Sequence, residues 1–286
     1  MQKLHLAITA ALALAMGGCH TPGQSPEIAS VAASVADAVV PAAQAATIAP
    51  VQAAKPDLLA SQLAALEGIA PDADAGVLAL ALEARQCALD HGDVSNKSRL
   101  AVIDYSMPST ERRMWVFNLA AQDKPELLYH EYVAHGQGSG GNVPTRFSNE
   151  DGTHATSLGL FRTAETYYGS NGYSLRMDGM DPGFNDNARR RAIVIHGADY
   201  VNPAAASGMG RLGRSWGCPA LRQAVAHDMI DVLKDGNLVF SYADNDAWLE
   251  HGTSFACDGR SASTILAAAR APEDNLAEGN LVAAAP

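Results

Sequence analysis

Two neighbouring stretches decide how this chain reads: Ala192-Ile193-Val194-Ile195-His196-Gly197, and then Gly210-Arg211-Leu212-Gly213-Arg214-Ser215-Trp216-Gly217-Cys218-Pro219-Ala220. Ala192 to Ile195 is a continuous apolar, β-branched run, the pattern of a buried strand. His196 stands at its tip and Gly197 breaks it. In the second stretch Pro219, with no N–H and a preset φ, suits the first position of a helix. Leu221, Val225, Met229 and Leu233 recur at four-residue steps, and Gly236 marks a stop. This spacing predicts a helix from Pro219 with Cys218 at or beside its N-cap, where the helix N-terminus would lower the thiol pKa. Gly217 permits close approach of a substrate, and the N–H groups of Gly217 and Cys218 are placed to form an oxyanion hole.

Taken singly, a cysteine before a helix reads as a small buried hydrophobe and a histidine at a strand end as structural. Together they supply a nucleophile and a base on successive elements. At these residues the chain resembles the L,D-transpeptidase catalytic domain of bacterial cell-wall enzymes. The signature of that family is His-Gly, a spacer, then Ser/Thr-His-Gly-Cys; here it reads His196-Gly197, a spacer, then Ser215-Trp216-Gly217-Cys218. The likeness extends to Val102-Ile103-Asp104-Tyr105-Ser106, Val133-Ala134-His135-Gly136 and Gly183-Phe184-Asn185-Asp186-Asn187-Ala188. Trp216 departs from the signature histidine, and Ala220 stands where many members carry a polar residue or arginine.

The resemblance implies a mainly β fold with α, a transpeptidase-type β-sandwich or barrel with a helix after the catalytic cysteine. It implies that Cys218 attacks the carbonyl before the terminal D-Ala of a peptidoglycan tetrapeptide stem. His196 acts as base, an acyl-enzyme forms, and a second stem or a wall-linked protein resolves it. The activity would serve peptidoglycan biosynthesis, cell wall organisation and cell shape. It implies no cofactor, sensitivity to carbapenems, and a position for His135 near the site. A hydrolase with the same residues, an L,D-carboxypeptidase or amidase, and a non-catalytic wall-binding lipoprotein remain open.

The rest of the chain fits an exported enzyme. Its formal net charge of -11 argues against nucleic-acid binding. Residues 1–18 read as a secretory signal, with Lys3 ahead of the apolar run from Leu6 to Met16. Met16-Gly17-Gly18-Cys19 reads as a lipoprotein signal with Cys19 lipidated, or as an ordinary cleaved signal with an incidental cysteine. Either reading places the chain in the periplasm or cell envelope, with membrane contact through the lipid alone. Residues 19–56 are Ala/Pro-rich tether, with a coil reach on the order of 30–40 Å. Residues 57–97 read as a small helical segment, 98–260 as the catalytic domain, and 261–286, alanine-rich and free of aromatic residues, as a disordered tail. Within 98–260, strands are expected at 101–105, 113–119, 127–134, 158–167, 173–178 and 237–242.

From Arg146 to Arg222 there are nine arginines, no lysine and seven acids, about +2 in an acidic chain. Arg189, Arg190 and Arg191 read as solvated surface charge. Arg211 and Arg214 flank the cysteine loop and are candidates to clamp a substrate carboxylate bidentately, or to pair with acids such as Asp199 and hold the loop. Ser215, Trp216 and His135 complete the candidate substrate-binding set. With no HExxH and no Cys-x-x-Cys, zinc is not expected. With Cys19 lipidated and Cys218 kept reduced, Cys87 and Cys257 remain; a disulfide between them would fasten the helical segment to the far end of the domain.

Overall fold

The computed structural model describes residues 54–271, apart from residues 95, 97, 122 and 123. The expected signal, Cys19, the tether up to residue 53 and the tail from residue 272 lie outside the described residues.

Among the described residues nine strands form one sheet: β1 (Arg99–Asp104), β2 (Met114–Asn118), β3 (Glu126–Glu131), β4 (Val133–Ala134), β5 (Gly159–Gly169), β6 (Gly172–Gly179), β7 (Val194–Gly197), β8 (Ala220–Leu221) and β9 (Leu238–Tyr242). Their order is β3-β2-β1-β9-β5-β6-β7-β8-β4. The two strands at the ends of that order are consecutive in the chain, since β3 ends at Glu131 and β4 begins at Val133. One continuous stretch thus pairs with β2 at its start and with β8 at its end, which curls the sheet into a nearly closed barrel. Arg222, just past β8, bonds the Glu131 carboxylate across this seam. The expected strands agree with β1–β3, β5, β6 and β9 to within a few residues at each end.

β1 lies between antiparallel β2 and parallel β9 and is buried on both faces, so it reads as an unbroken apolar run, Leu100-Ala101-Val102-Ile103. Helix α1 (Ala54–Ile69) and helix α2 (Ala75–Asp90) precede the sheet. The Asp74 side chain caps α2 by accepting from Val77 N–H at 2.9 Å. Val77, Leu78, Leu80, Ala81, Leu82 and Ala84 are buried, so α2 is enclosed on most of its circumference. Cys87 of α2 is disulfide-bonded to Cys257, with the Cα atoms 5.7 Å apart.

Two sequence expectations are corrected here. Residues 261–286 do not begin as a disordered tail: Ala262–Arg270 form a helix, the last of the described elements (called α6 after α3, Pro203–Met209; α4, Gln223–Leu233; and α5, Asp246–His251). Ser261 caps it, Ile265 and Leu266 are buried beside α2, and Arg270 bonds the same Asp74 carboxylate that caps α2. Its alanine-rich composition is that of a helix needing a partner face, and α2 supplies one.

The second correction concerns Pro219, which does not open a helix. Ala220 and Leu221 form β8, and α4 starts at Gln223 with Arg222 as N-cap. Its buried face is Ala226, Met229, Ile230 and Leu233, which keeps Met229 and Leu233 of the expected stripe, while Val225 is partly buried and Leu221 belongs to β8. No helix among the described residues is long and apolar enough to cross a membrane.

Candidate active site

β7 and β8 run parallel, with His196 opposite Ala220 and Gly197 opposite Leu221. Two residues back along the same register, Cys218 falls beside Val194, and Val194 N–H donates to Sγ at 3.5 Å. Cys218 lies in the loop two residues ahead of β8, and His196 lies on β7, the strand that β8 pairs with. The thiol donates to Ala192 C=O at 3.7 Å. In this state its proton is directed at the backbone ahead of β7 rather than at the imidazole.

His196 Nδ1 lies 2.9 Å from Gly197 O. A carbonyl can only accept, so Nδ1 carries the proton and Nε2 holds the lone pair. Burial lowers the imidazole pKa, against a smaller opposing effect of the Gly197 bond. The ring is thus neutral near pH 7, in a defined tautomer, and able to take a proton at Nε2.

The cysteine loop is stitched to the stretch after β4. Ser215 N–H donates to His135 O at 3.0 Å and Gln137 N–H to Ser215 O at 2.8 Å. Gly136 is required between them, because a Cβ there would meet Gly217 Cα at 2.7 Å. Gly217 has φ +115°, and a Cβ on it would meet Ala155 O at 2.9 Å. Ser215 Oγ donates to Cys218 O at 2.6 Å and accepts from Gly217 N–H at 3.1 Å. That places Ser215, buried, inside the loop as its lock. It also occupies the Gly217 N–H expected for the oxyanion hole.

Helix assistance to the thiol is absent, because α4 begins five residues after Cys218 and β8 intervenes. Cys218 is 9 % exposed. Burial pushes its pKa up, while the Val194 N–H bond and the Arg191 charge pull it down.

The remaining candidates are distributed differently from expectation. His135 is fully buried, its Nδ1 accepting from Arg113 Nη2 at 2.8 Å, and its Nε2–H faces the Gly140–Gly141 turn without a well-aligned acceptor. Its backbone supports the cysteine loop and its ring does not open to solvent. Arg214 Nη1 donates to Gly140 O at 2.6 Å, a bond to the protein's own backbone. Arg211 is half-buried and donates to Leu212 O at 2.9 Å within its own loop. Neither arginine is seen with Asp199. Trp216, 72 % exposed, stacks on His154 with ring centroids 4.8 Å apart and planes within 6°.

Four residues at the site carry no sequence signal of the kind used above. His154 and Thr156 sit in an aperiodic polar loop. Thr156 Oγ1 accepts from Gly136 N–H at 2.9 Å and lies 3.5 Å from Gly217 O. Tyr200 lies over Gly213, and burial together with the nearby thiol pushes its phenol up to about 12. Arg191 turns inward, whereas Arg189, read like it as surface charge, does lie in an exposed ion-pair cluster with Glu165 and Asp178. Its position directly ahead of a buried strand was the available hint. Among the described residues no group of three or more His, Cys, Asp or Glu could hold a metal ion.

A buried thiol just ahead of β8 and a tautomer-fixed imidazole on β7 thus lie on neighbouring stretches of a mainly β fold. A family model of the L,D-transpeptidase catalytic domain matches residues 70–242, and the chain belongs to that family. Among solved structures, an L,D-transpeptidase from Mycobacterium smegmatis is similar at 15% identity over 51% of this chain and 59% of that one, with TM-score 0.31. One from Stackebrandtia nassauensis is similar at 12% identity over 58% and 68%, with TM-score 0.31. L,D-transpeptidase 3 from Mycobacterium tuberculosis is similar at 15% identity over 51% and 61%, with TM-score 0.29. No curated protein matches the chain.

Proposed function

We propose that this chain is an exported, cysteine-dependent L,D-transpeptidase acting on peptidoglycan tetrapeptide stems through a thioester acyl-enzyme. The observation that supports the reading is a buried thiol just ahead of β8, held by Val194 N–H of the strand that carries His196, with His196 Nδ1 bound to Gly197 O. Membership of the family supports the substrate class.

The resting thiol faces Ala192 O, so the first step is rotation of the Cys218 side chain toward His196. Nε2 then takes the thiol proton, and the thiolate attacks the carbonyl preceding the terminal D-Ala. Collapse of the tetrahedral adduct breaks the C–N bond. The departing amine takes the proton from His196, and the acyl group remains as a thioester. An amine of a second stem, or of a wall-linked protein, attacks that thioester; His196 accepts its proton and returns it to sulfur. Because Ser215 Oγ holds Gly217 N–H, the Cys218 N–H is the donor of the pair that fits the developing oxyanion. Export, Cys19 lipidation and a periplasmic or envelope location complete this reading.

Incubation of the purified protein with tetrapeptide muropeptides, followed by mass analysis, tests it. Crosslinked dimers are the expected products. Tripeptides alone would make the chain a hydrolase with the same nucleophile, and unchanged substrate would favour a wall-binding role.

A further inference from the structure

We propose that Arg191 is a positioning residue for the nucleophile, stapling the 148–157 loop, and with it the backbone against Gly217 and the His154–Trp216 stack, beside Cys218. This rests on reading Cys218 as the nucleophile.

Arg191 is half-buried on the turn ahead of β7, yet its guanidinium reaches only groups of one loop. Nη1 donates to Ser148 O at 2.7 Å and to Ser157 Oγ at 2.5 Å; Nη2 donates to Ala155 O at 2.8 Å and Thr153 Oγ1 at 3.4 Å. A planar fork with several donors is the side chain suited to that task, and lysine cannot reproduce it. The loop it gathers touches the cysteine loop three times: Ala155 O packs on Gly217, Thr156 Oγ1 donates to Gly217 O at 3.5 Å, and His154 stacks on Trp216.

Backbone strain collects at the same place. Among the described residues, three that are not glycine have φ in the left-handed region: His154 at 53°, Ala192 at 54° and Asp235 at 67°. Asp235 belongs to the turn after α4. The other two bracket this contact, Ala192 following Arg191 and His154 lying between its acceptors Thr153 and Ala155. Ala192 also supplies the carbonyl that receives the thiol proton. Such conformations persist where surrounding contacts over-determine them, and Arg191 provides those contacts.

The charge matters as well as the shape. The ionisable groups in electrostatic contact with the thiol are Arg191 and the phenols Tyr105 and Tyr200, which stay protonated near neutral pH. Arg191 is the cation of that set. It takes the role that a helix N-terminus would have filled had α4 begun at Pro219.

The test compares full-length wild type, Arg191→Gln and Arg191→Lys by alkylation of Cys218 with iodoacetamide from pH 7 to as far above pH 10 as the fold is retained, since burial holds the thiol above its ordinary range, and by hydrogen exchange of peptides covering 148–157. Neither readout needs turnover, so a wild type that alkylates but does not crosslink stems would refute the proposed function and leave this test standing. Arg191→Gln should raise the midpoint of the alkylation profile by about one pH unit, as expected for losing one nearby charge in a partly screened site. Arg191→Lys should hold the midpoint near that of wild type while exchange of 148–157 speeds up at least several-fold. An Arg191→Gln profile that superimposes on wild type overturns the proposal. Should that variant not fold, unchanged exchange of 148–157 in Arg191→Lys overturns it instead.

Discussion

At the scale of single residues, two histidines that follow strands have opposite fates. His196 keeps an accessible lone pair at Nε2 and is held by Gly197 O, whereas His135 is buried against the Arg113 guanidinium. His196→Gln should therefore lower the rate of acylation by a tetrapeptide about 10²–10⁴-fold with the fold retained. A loss of that size from His135→Gln, with His196→Gln near wild type, would reverse the assignment. His135 should report on stability. Burial first, and then the Arg113 charge, lower its pKa from 6.5 to about 3. The folded pKa lies below the unfolded one, so the unfolded state takes up the proton first as pH falls. Stability present above about pH 6.5 is lost on the way down to about pH 3, by up to roughly 5 kcal/mol. Chemical denaturation at pH 7 and pH 4 should show this loss, and His135→Gln should flatten it; equal pH dependence in both proteins would exclude His135 as its source.

At the scale of elements, the two arginines of the cysteine loop separate. Arg214 ties that loop to the turn after β4 through Gly140 O. Arg214→Ala should cost about 1–2 kcal/mol, read as a lower Tm together with lower activity. Arg211 bonds within its own loop, and its loss should leave stability within about 0.5 kcal/mol. Arg211 is the arginine left as a carboxylate clamp, so Arg211→Ala should raise KM for a tetrapeptide while the melt stays put; unchanged kinetics would remove that role. The Cys87–Cys257 bond fastens α2 to the segment leading into α6 across 170 residues. The chain-entropy model gives such a loop about 5 kcal/mol as an upper figure. Cys257→Ser should lower the denaturation midpoint substantially while leaving Cys218 alkylation unaffected; an unchanged midpoint would mean that α2–α6 packing alone holds this corner.

At the scale of the whole molecule, the site is assembled from four separate stretches: 135–137, 153–156, 191–196 and 215–218. They meet because β7, β8 and β4 are neighbours where the sheet closes on itself. The salt link from Arg222 to Glu131 spans that closure. Arg222→Ala should loosen the pairing of β8 with β4 and speed hydrogen exchange there more than in β1, which lies on the opposite side of the order. Uniform exchange in both strands would show that closure does not depend on this contact.

Much of this was legible along the chain because it rests on local pattern. The apolar run from Ala192 announced β7, and alternation and turn residues announced β1 to β3, β5, β6 and β9. The spacing of His196-Gly197 from Ser215-Trp216-Gly217-Cys218 carried the resemblance to the family. What local pattern could not carry was any outcome set by a distant partner. Pro219 satisfies the rule for a helix start, yet Ala220 and Leu221 pair with His196 and Gly197 more than twenty residues away, and those ladder bonds outweigh a local propensity. Arg191 has the same flanking charges as its exposed neighbours, and only the folded loop brings four acceptors to it. Residues 262–270 are too short to hold a helix alone, alanine-rich as they are, and gain one on the face of α2. The thiol pKa follows the same division: sequence named the atom, and burial, a backbone N–H and one inward arginine determined its charge.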